Sequence, residues 1–245
     1  MLKIENYEVV GWEHAIRGAR NPMNSWEKSD SNMCGYTLQN AEIAPGVTSL
    51  EWRQCKPYID IGENDHDLLM RLCNAGTDHS KFMRMITVYL DITAPLYWWK
   101  EFDTYKVGTV ANSCSTMHKI HAKRFTLEDF SIEHLHKRSN MFFSEVIDLL
   151  NYWRDIYLDG GMVDNYDGTA RIYEKKDKDA WWQMIQLLPS SYNQRRTIML
   201  NYGVLANIYK SRNNHKLDEW HTFCHWIEEL PYSEFIVGEK NESNQ

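Results

Sequence analysis

The sequence predicts an α+β fold, and three observations carry that prediction. Met85 to Thr93 alternates Ile86, Val88, Leu90 and Ile92 with Thr87, Tyr89 and Asp91, the period-2 pattern of a half-buried strand rich in β-branched residues. Other segments repeat apolar residues at helical spacing and stop at glycine or proline. Helices outnumber strands and do not alternate with them strictly, which argues against a doubly wound sheet.

Lys3 to Val10 is the second strand candidate. Asn21 to Asn32, with Pro22, Asn24, Ser25, Ser29, Asp30 and Ser31, is the most polar early stretch and reads as a loop. Asp67 to Ala75 places Leu68, Leu69 and Leu72 on one helical face, and Gly76 sits where such a helix closes. Ser144 to Leu158 carries Val146, Leu149, Leu150, Trp153 and Tyr157 at helical spacing and meets Gly160-Gly161; Asn165 to Gly168 marks a further break. Asp179 to Leu188 ends at Pro189, and Lys216 to Glu229 ends before Pro231, because proline cannot continue a helix. Residues 1–238 read as a single domain and 239–245 as a solvated tail.

Composition narrows the function classes. The 245 residues hold 27 Lys+Arg against 34 Asp+Glu, a formal charge of −7. An acidic chain is a poor wrapper of a nucleic acid polymer, although a local cluster of arginines can still hold an anionic small molecule. No apolar run approaches the roughly 20 residues of a membrane span, so no membrane partner is expected. The opening MLKIENYEVV shows no signal h-region, and the five cysteines (Cys34, Cys55, Cys73, Cys114, Cys224) form no Cys-x-x-Cys pair; reduced thiols in a cytoplasmic protein are expected. The 10 Trp, 14 Tyr and 8 Phe are either core or stacking surfaces for a ligand, and their number does not choose.

The ten histidines invite a metal reading. His118 and His121, His134 and His136, and His221 and His225 are close pairs, the last sharing a helical face beside Cys224, but there is no His-Glu-x-x-His and no second ligand pair at finger spacing, so no metal site is expected. No phosphate loop, Gly-x-Gly-x-x-Gly or Gly-x-Ser-x-Gly elbow occurs. Two segments remain. Val107 to His118 gathers small, hydroxyl and amide residues, which suit either an ordinary loop or close contact with a phosphate or a pyrimidine edge. Further on, Asn201, Leu205, Ile208 and Arg212 fall at i, i+4, i+7 and i+11, one stripe of one helix. A guanidinium on a buried stripe needs an anionic partner, either a protein carboxylate or a ligand phosphate.

At these segments the sequence resembles the flavin-dependent thymidylate synthases. Leu188-Pro189 is followed by Asn201, Asn207 and Arg212, then His215 and Glu219, in the order of that family's Leu-Pro and Asn-x-Arg-x-x-x-Asn-x-x-x-x-Arg helix. Asn112 and Ser115 stand where the family has an Asn and a Ser, Gly76 and His79 lie near the place of its Gly-His pair, and Asn6-Tyr7 precedes an Ala15-Ile16-Arg17 helix as in the family's opening. The resemblance implies a mixed sheet with several long helices. It implies FAD contacted by Asn201, Asn207, His215, His79 and Asn112, and a deoxypyrimidine nucleotide held by Arg212, Ser115 and Lys106. Arg212 would stabilise charge developing on the pyrimidine. NADPH and methylenetetrahydrofolate would be the other reactants, in a homotetramer whose sites are shared between subunits. Tyr97, Trp98 and Trp99 would either stack on flavin or folate or pack a helix into the core.

The departures are specific. Asp103-Thr104-Tyr105-Lys106 replaces Arg-His-Arg, Met117 or His118 replaces the arginine that closes the signature, Gly203 replaces the middle arginine of the helix, and the Met184-Ile185-Gln186 region replaces an arginine before Leu-Pro. Each loss removes a contact of about 1.5–3 kcal/mol. Lys106, Lys119, Arg195 and Arg196 are the candidate substitutes. The expected function is methylation of deoxyuridylate to thymidylate. The alternatives are a relative acting on another pyrimidine nucleotide and a non-catalytic nucleotide- or protein-binding relative.

Overall fold

A computed structural model describes residues 2–34, 58–165 and 167–238. In chain order the strands are β1 (Lys3–Val10), β2 (Asn32–Cys34), β3 (Tyr58–Asp60), β4 (Thr87–Pro95), β5 (Val110–Ser113), β6 (Gly161–Asp164), β7 (Ala170–Tyr173) and β8 (Asn193–Asn201). The helices are α1 (Trp12–Arg20), α2 (Glu63–Asn74), α3 (Leu96–Phe102), α4 (Thr116–Lys119), α5 (Lys137–Asp159), α6 (Lys178–Leu187), α7 (Tyr202–Arg212), α8 (Asp218–Glu228) and α9 (Glu234–Val237). Four strands hydrogen-bond side by side in the order β1-β4-β8-β5; β2 pairs with β3 and β6 with β7, both antiparallel. The α+β class is as the sequence predicts.

The described chain divides into two compact units. One comprises Asn6–Leu90, Tyr105–Val110 and Ile198–Gln245. Its core is aromatic: Trp12 meets Tyr202 edge-on at 5.2 Å, while Trp220, Phe223 and Ile227 of α8 and Leu205 and Ile208 of α7 are fully buried. The Tyr202 hydroxyl donates to the Pro231 carbonyl at 2.6 Å, so its ring is buried with its polar tip satisfied. The early polar loop forms two short 3₁₀ turns, Asn21–Met23 and Trp26–Lys28, clamped by Arg20, which donates to the Ser25 and Lys28 carbonyls at 3.1 and 3.0 Å. Arg20 also meets Asp65 at 2.5 Å, and Asp65 accepts from the hydroxyls of Ser29 and Ser31, each at 2.7 Å. Burial alone would raise the Asp65 pKa; the Ser31 and Ser29 hydroxyls and the Arg20 guanidinium outweigh it and hold the carboxyl below its usual range.

The other unit comprises Met1–Glu5, Asp91–Thr104 and Ala111–Thr197. In α3, Trp98, Trp99 and Phe102 are buried against one another, and the Trp99 indole donates to the Gln194 carbonyl at 2.9 Å. Trp98 and Trp99 are therefore core. Ile147 and Leu150 of α5 pack with Phe125, Phe130 and Met184, and the Asn151 amide makes two 2.9 Å hydrogen bonds with the Phe125 backbone. The hairpin β6–β7 runs from the pair Gly161↔Tyr173 to Asp164↔Ala170.

Several boundaries differ from expectation. The helix expected from Ser144 begins at Lys137, whose first turn is exposed and carries little apolar periodicity. The segment Val107 to His118 contains β5 and α4 rather than a plain loop. The largest correction is β8. Its opening NQRR hides the alternation, because Arg195 and Thr197 face Asp91 of β4, with hydrogen bonds of 2.7 and 2.5 Å, and polar cross-strand pairs replace apolar ones. The expected tail 239–245 and Cys55 lie outside the described residues.

Candidate functional site

Helix α7 organises the candidate residues of the first unit. Asn201 is not on the helical stripe: it ends β8 and caps α7, its Oδ1 accepting from the Val204 N–H at 3.1 Å. Leu205 and Ile208 lie on the buried face, and Arg212 closes the helix on that same side, half-buried. From Asn201 to Arg212 is about 16 Å along the axis, so a ligand touching both must be dinucleotide-sized or two molecules. Asn207 is exposed and lies about 140° around the helix from Arg212, so α7 separates it from the Leu205–Arg212 face.

The segment Tyr105–Val110 lies against both ends of α7. Gly108 has φ +79°, and a Cβ there would sit 3.0 Å from Nδ2 of Asn201 and 3.1 Å from Cγ2 of Val204, so only glycine allows this approach. At the other end Arg212 Nε donates to the Tyr105 hydroxyl at 2.9 Å, and the guanidinium carbon lies 5.7 Å from the Tyr105 ring centroid and 4.9 Å from that of Trp220. Ring faces stabilise and orient a planar cation. His215 is half-buried beside Trp220, with ring centroids 6.3 Å apart, and its Nδ1 accepts from the Leu217 N–H at 3.2 Å. Lys106 and His79 are exposed, and His79 stands at the head of the 3₁₀ turn Ser80–Arg84, which packs against α7.

In the other unit, Asn112 is exposed on β5 and Ser115 caps α4, its hydroxyl accepting from the His118 N–H at 3.1 Å. Ser115 lines a cavity of about 240 Å³ with Cys114, Lys119, Lys123, Tyr192 and Arg195. Lys123 is paired with Asp129. Arg195 and Arg196, two of the candidate substitutes, are paired as well. Arg195 meets Asp91 at 2.7 Å; Arg196 meets Asp103 at 2.7 Å and lies 4.2 Å from the Trp99 ring centroid. The histidine pair is surface: His225 lies 3.4 Å from Glu229, and His221 4.0 Å from Asp218. Among the described residues no group of three or more His, Cys, Asp or Glu is placed to hold a metal. No described helix is long and apolar enough to cross a membrane.

Arg84 belongs to no motif in the sequence, yet it lies against α7. A Cβ on Gly203 would lie 3.3 Å from Cγ of Arg84 and 3.2 Å from Oδ1 of Asn201, so the Arg84 stem occupies the space beside that glycine. The only signal was the loss of an arginine at position 203, which raises the question of what fills its place.

The sequence matches no protein-family model and no curated protein. The fold does have solved counterparts, among them two structures of flavin-dependent thymidylate synthase. Thymidylate synthase X (ThyX) from Helicobacter pylori, crystallised with FAD and dUMP, superposes with a TM-score of 0.56 at 15% identity, covering 97% of this chain and 96% of that one. A second structure of flavin-dependent ThyX from Helicobacter pylori, complexed with FAD and dUMP, gives 0.55 at 15% identity over 97% of both chains. The chain therefore has a ThyX-like fold.

Proposed function

We propose that this protein binds FAD and a deoxypyrimidine nucleotide and methylates deoxyuridylate to thymidylate. One observation carries the reading: Arg212, in a ThyX-like fold, is held by the Tyr105 hydroxyl and the Trp220 ring at the position where the family resemblance puts the pyrimidine-binding arginine. The residues suit the ligands. A flat aromatic-flanked cation at one end of α7 matches a pyrimidine carbonyl, and the amide of Asn201 at the other end is about a dinucleotide's reach away. Asn207 and His79 are exposed and accessible to a large cofactor, though from a different side of α7 in the case of Asn207.

Bound flavin, with methylenetetrahydrofolate and NADPH, would supply the redox and one-carbon chemistry. The chain's part is to bind and polarise. Arg212, fixed in direction by Tyr105 and Trp220, would meet negative charge as it grows on the pyrimidine carbonyl, with no reorganisation at the moment of reaction. Ser115 and Lys106 would contact the nucleotide, and Asn201, Asn207, His215, His79 and Asn112 the cofactor. A cytoplasmic homotetramer with shared sites belongs to the same reading.

The test is direct. Protein purified or reconstituted with FAD should show flavin absorbance and release tritium from C5-labelled deoxyuridylate when given methylenetetrahydrofolate and NADPH. Arg212→Ala should lower kcat/KM by about 10²–10³. Protein that stays colourless after FAD is added sinks the proposal. Asp103 favours a second reading, a relative acting on another pyrimidine nucleotide. A carboxylate paired with Arg196 stands where the family carries an arginine, which changes what the site can read. Turnover of deoxycytidylate but not deoxyuridylate would select it.

A further inference from the structure

We propose that Arg84 is a binding residue for the phosphate of a nucleotide ligand, and that Gly203 exists to let it lie there. The inference rests on the proposed nucleotide-binding function and goes beyond it, because Arg84 belongs to no motif in the sequence.

Three observations combine. First, the Arg84 stem runs across Gly203, close enough that a Cβ at 203 would press on Cγ at 3.3 Å. Packing the stem on bare backbone restricts a side chain that otherwise carries about 2 kcal/mol of rotamer entropy, so less ordering is left for a ligand to impose. Secondly, the turn Ser80–Arg84 is anchored: Phe82 and Met83 are 3% and 4% exposed, which fixes the backbone from which Arg84 projects. Thirdly, Arg84 is exposed, and among the described residues no hydrogen bond or ion pair engages its guanidinium. Most other well-placed arginines are spent: Arg20 on Asp65, Arg195 on Asp91 and Arg196 on Asp103. An unspent guanidinium whose stem crosses the first turn of α7 at Gly203 has the chemistry of a bidentate phosphate contact. The cation that the helix lacks at position 203 is supplied by the facing turn.

The phosphate could come from the dinucleotide cofactor or from the nucleotide substrate, and calorimetric titrations with inorganic pyrophosphate, FAD and dUMP separate them. Arg84→Ala should weaken binding of the ligand it serves by about tenfold or more, and reduce the salt dependence of that binding. Gly203→Ala should weaken the same ligand by displacing the stem, while Arg84→Ala with Gly203→Arg should restore it, because removing Cγ frees the space for a side chain at 203. Loss confined to FAD, or to dUMP, identifies the source. Pyrophosphate binding that Arg84→Ala abolishes, in a protein that binds neither FAD nor dUMP, keeps this proposal and removes the thymidylate synthase reading. Unchanged affinity for every ligand that binds, or no binding of any of the three by the unaltered protein, overturns it. Arg84→Gln, which keeps the stem, guards against a packing artefact: its affinity should fall with Arg84→Ala.

Discussion

Arg20 and Arg84 belong to the same unit and put the same side chain to opposite uses. Arg20 is buried, and each nitrogen of its guanidinium meets an acceptor: the Asp65 carboxylate and the carbonyls of Ser25 and Lys28. Arg84 is exposed, with its stem against a glycine and no protein acceptor among the described residues. The difference teaches how a guanidinium is divided between folding and binding. A buried one must be paired, because an uncompensated charge in the interior is costly, and once paired it has nothing left to offer a ligand.

The strongest way to break the comparison is at the buried pair. Arg20→Ala should destabilise the protein by about 3–5 kcal/mol in chemical denaturation, since it leaves Asp65 buried with neutral donors only, the Ser29 and Ser31 hydroxyls and the Asp30 and Ser31 N–H groups. Acid should do the same gradually. The folded Asp65 carboxyl titrates below the unfolded value of about 3.9, so its contribution is complete above that pH and is lost as pH falls through the folded pKa. The stability gap between the natural protein and Asp65→Asn should therefore close at low pH; a gap that widens there contradicts the assignment. A smaller effect separates the thiols. Burial pushes Cys73 up to about 12, and burial with the Glu228 charge pushes Cys224 up to about 11, whereas Cys114 is exposed. Alkylation at pH 8, mapped by mass spectrometry, should modify Cys114 long before Cys73 or Cys224. The smallest effect is the other half of the comparison: Arg84→Gln should shift stability by no more than about 0.5 kcal/mol.

The sequence and the structure agree where one signal dominates. The strand around Ile86 to Ile92 and the helix ending at Pro189 are legible because apolar periodicity and a chain-stopping residue coincide there. β8 was not, because polar cross-strand partners supplied by Asp91 take the place of an apolar pattern, and Asp91 is over a hundred residues away. At the candidate site, Arg212 could be singled out as a cation on an apolar stripe, but its partners Tyr105 and Trp220 lie on other segments. Arg84 was invisible for the same reason: its meaning depends on a glycine 119 positions later.

The segment from Tyr105 to Gly108 has a mechanical consequence. It is pinned to the end of α7 through Arg212 and to the start through the close approach of Gly108 to Asn201. Between the two pins the backbone folds into a turn, with the Thr109 N–H donating to the Lys106 carbonyl at 3.4 Å. One short turn therefore serves as a common footing for both ends of α7, so Tyr105 and Gly108 share a single local fold.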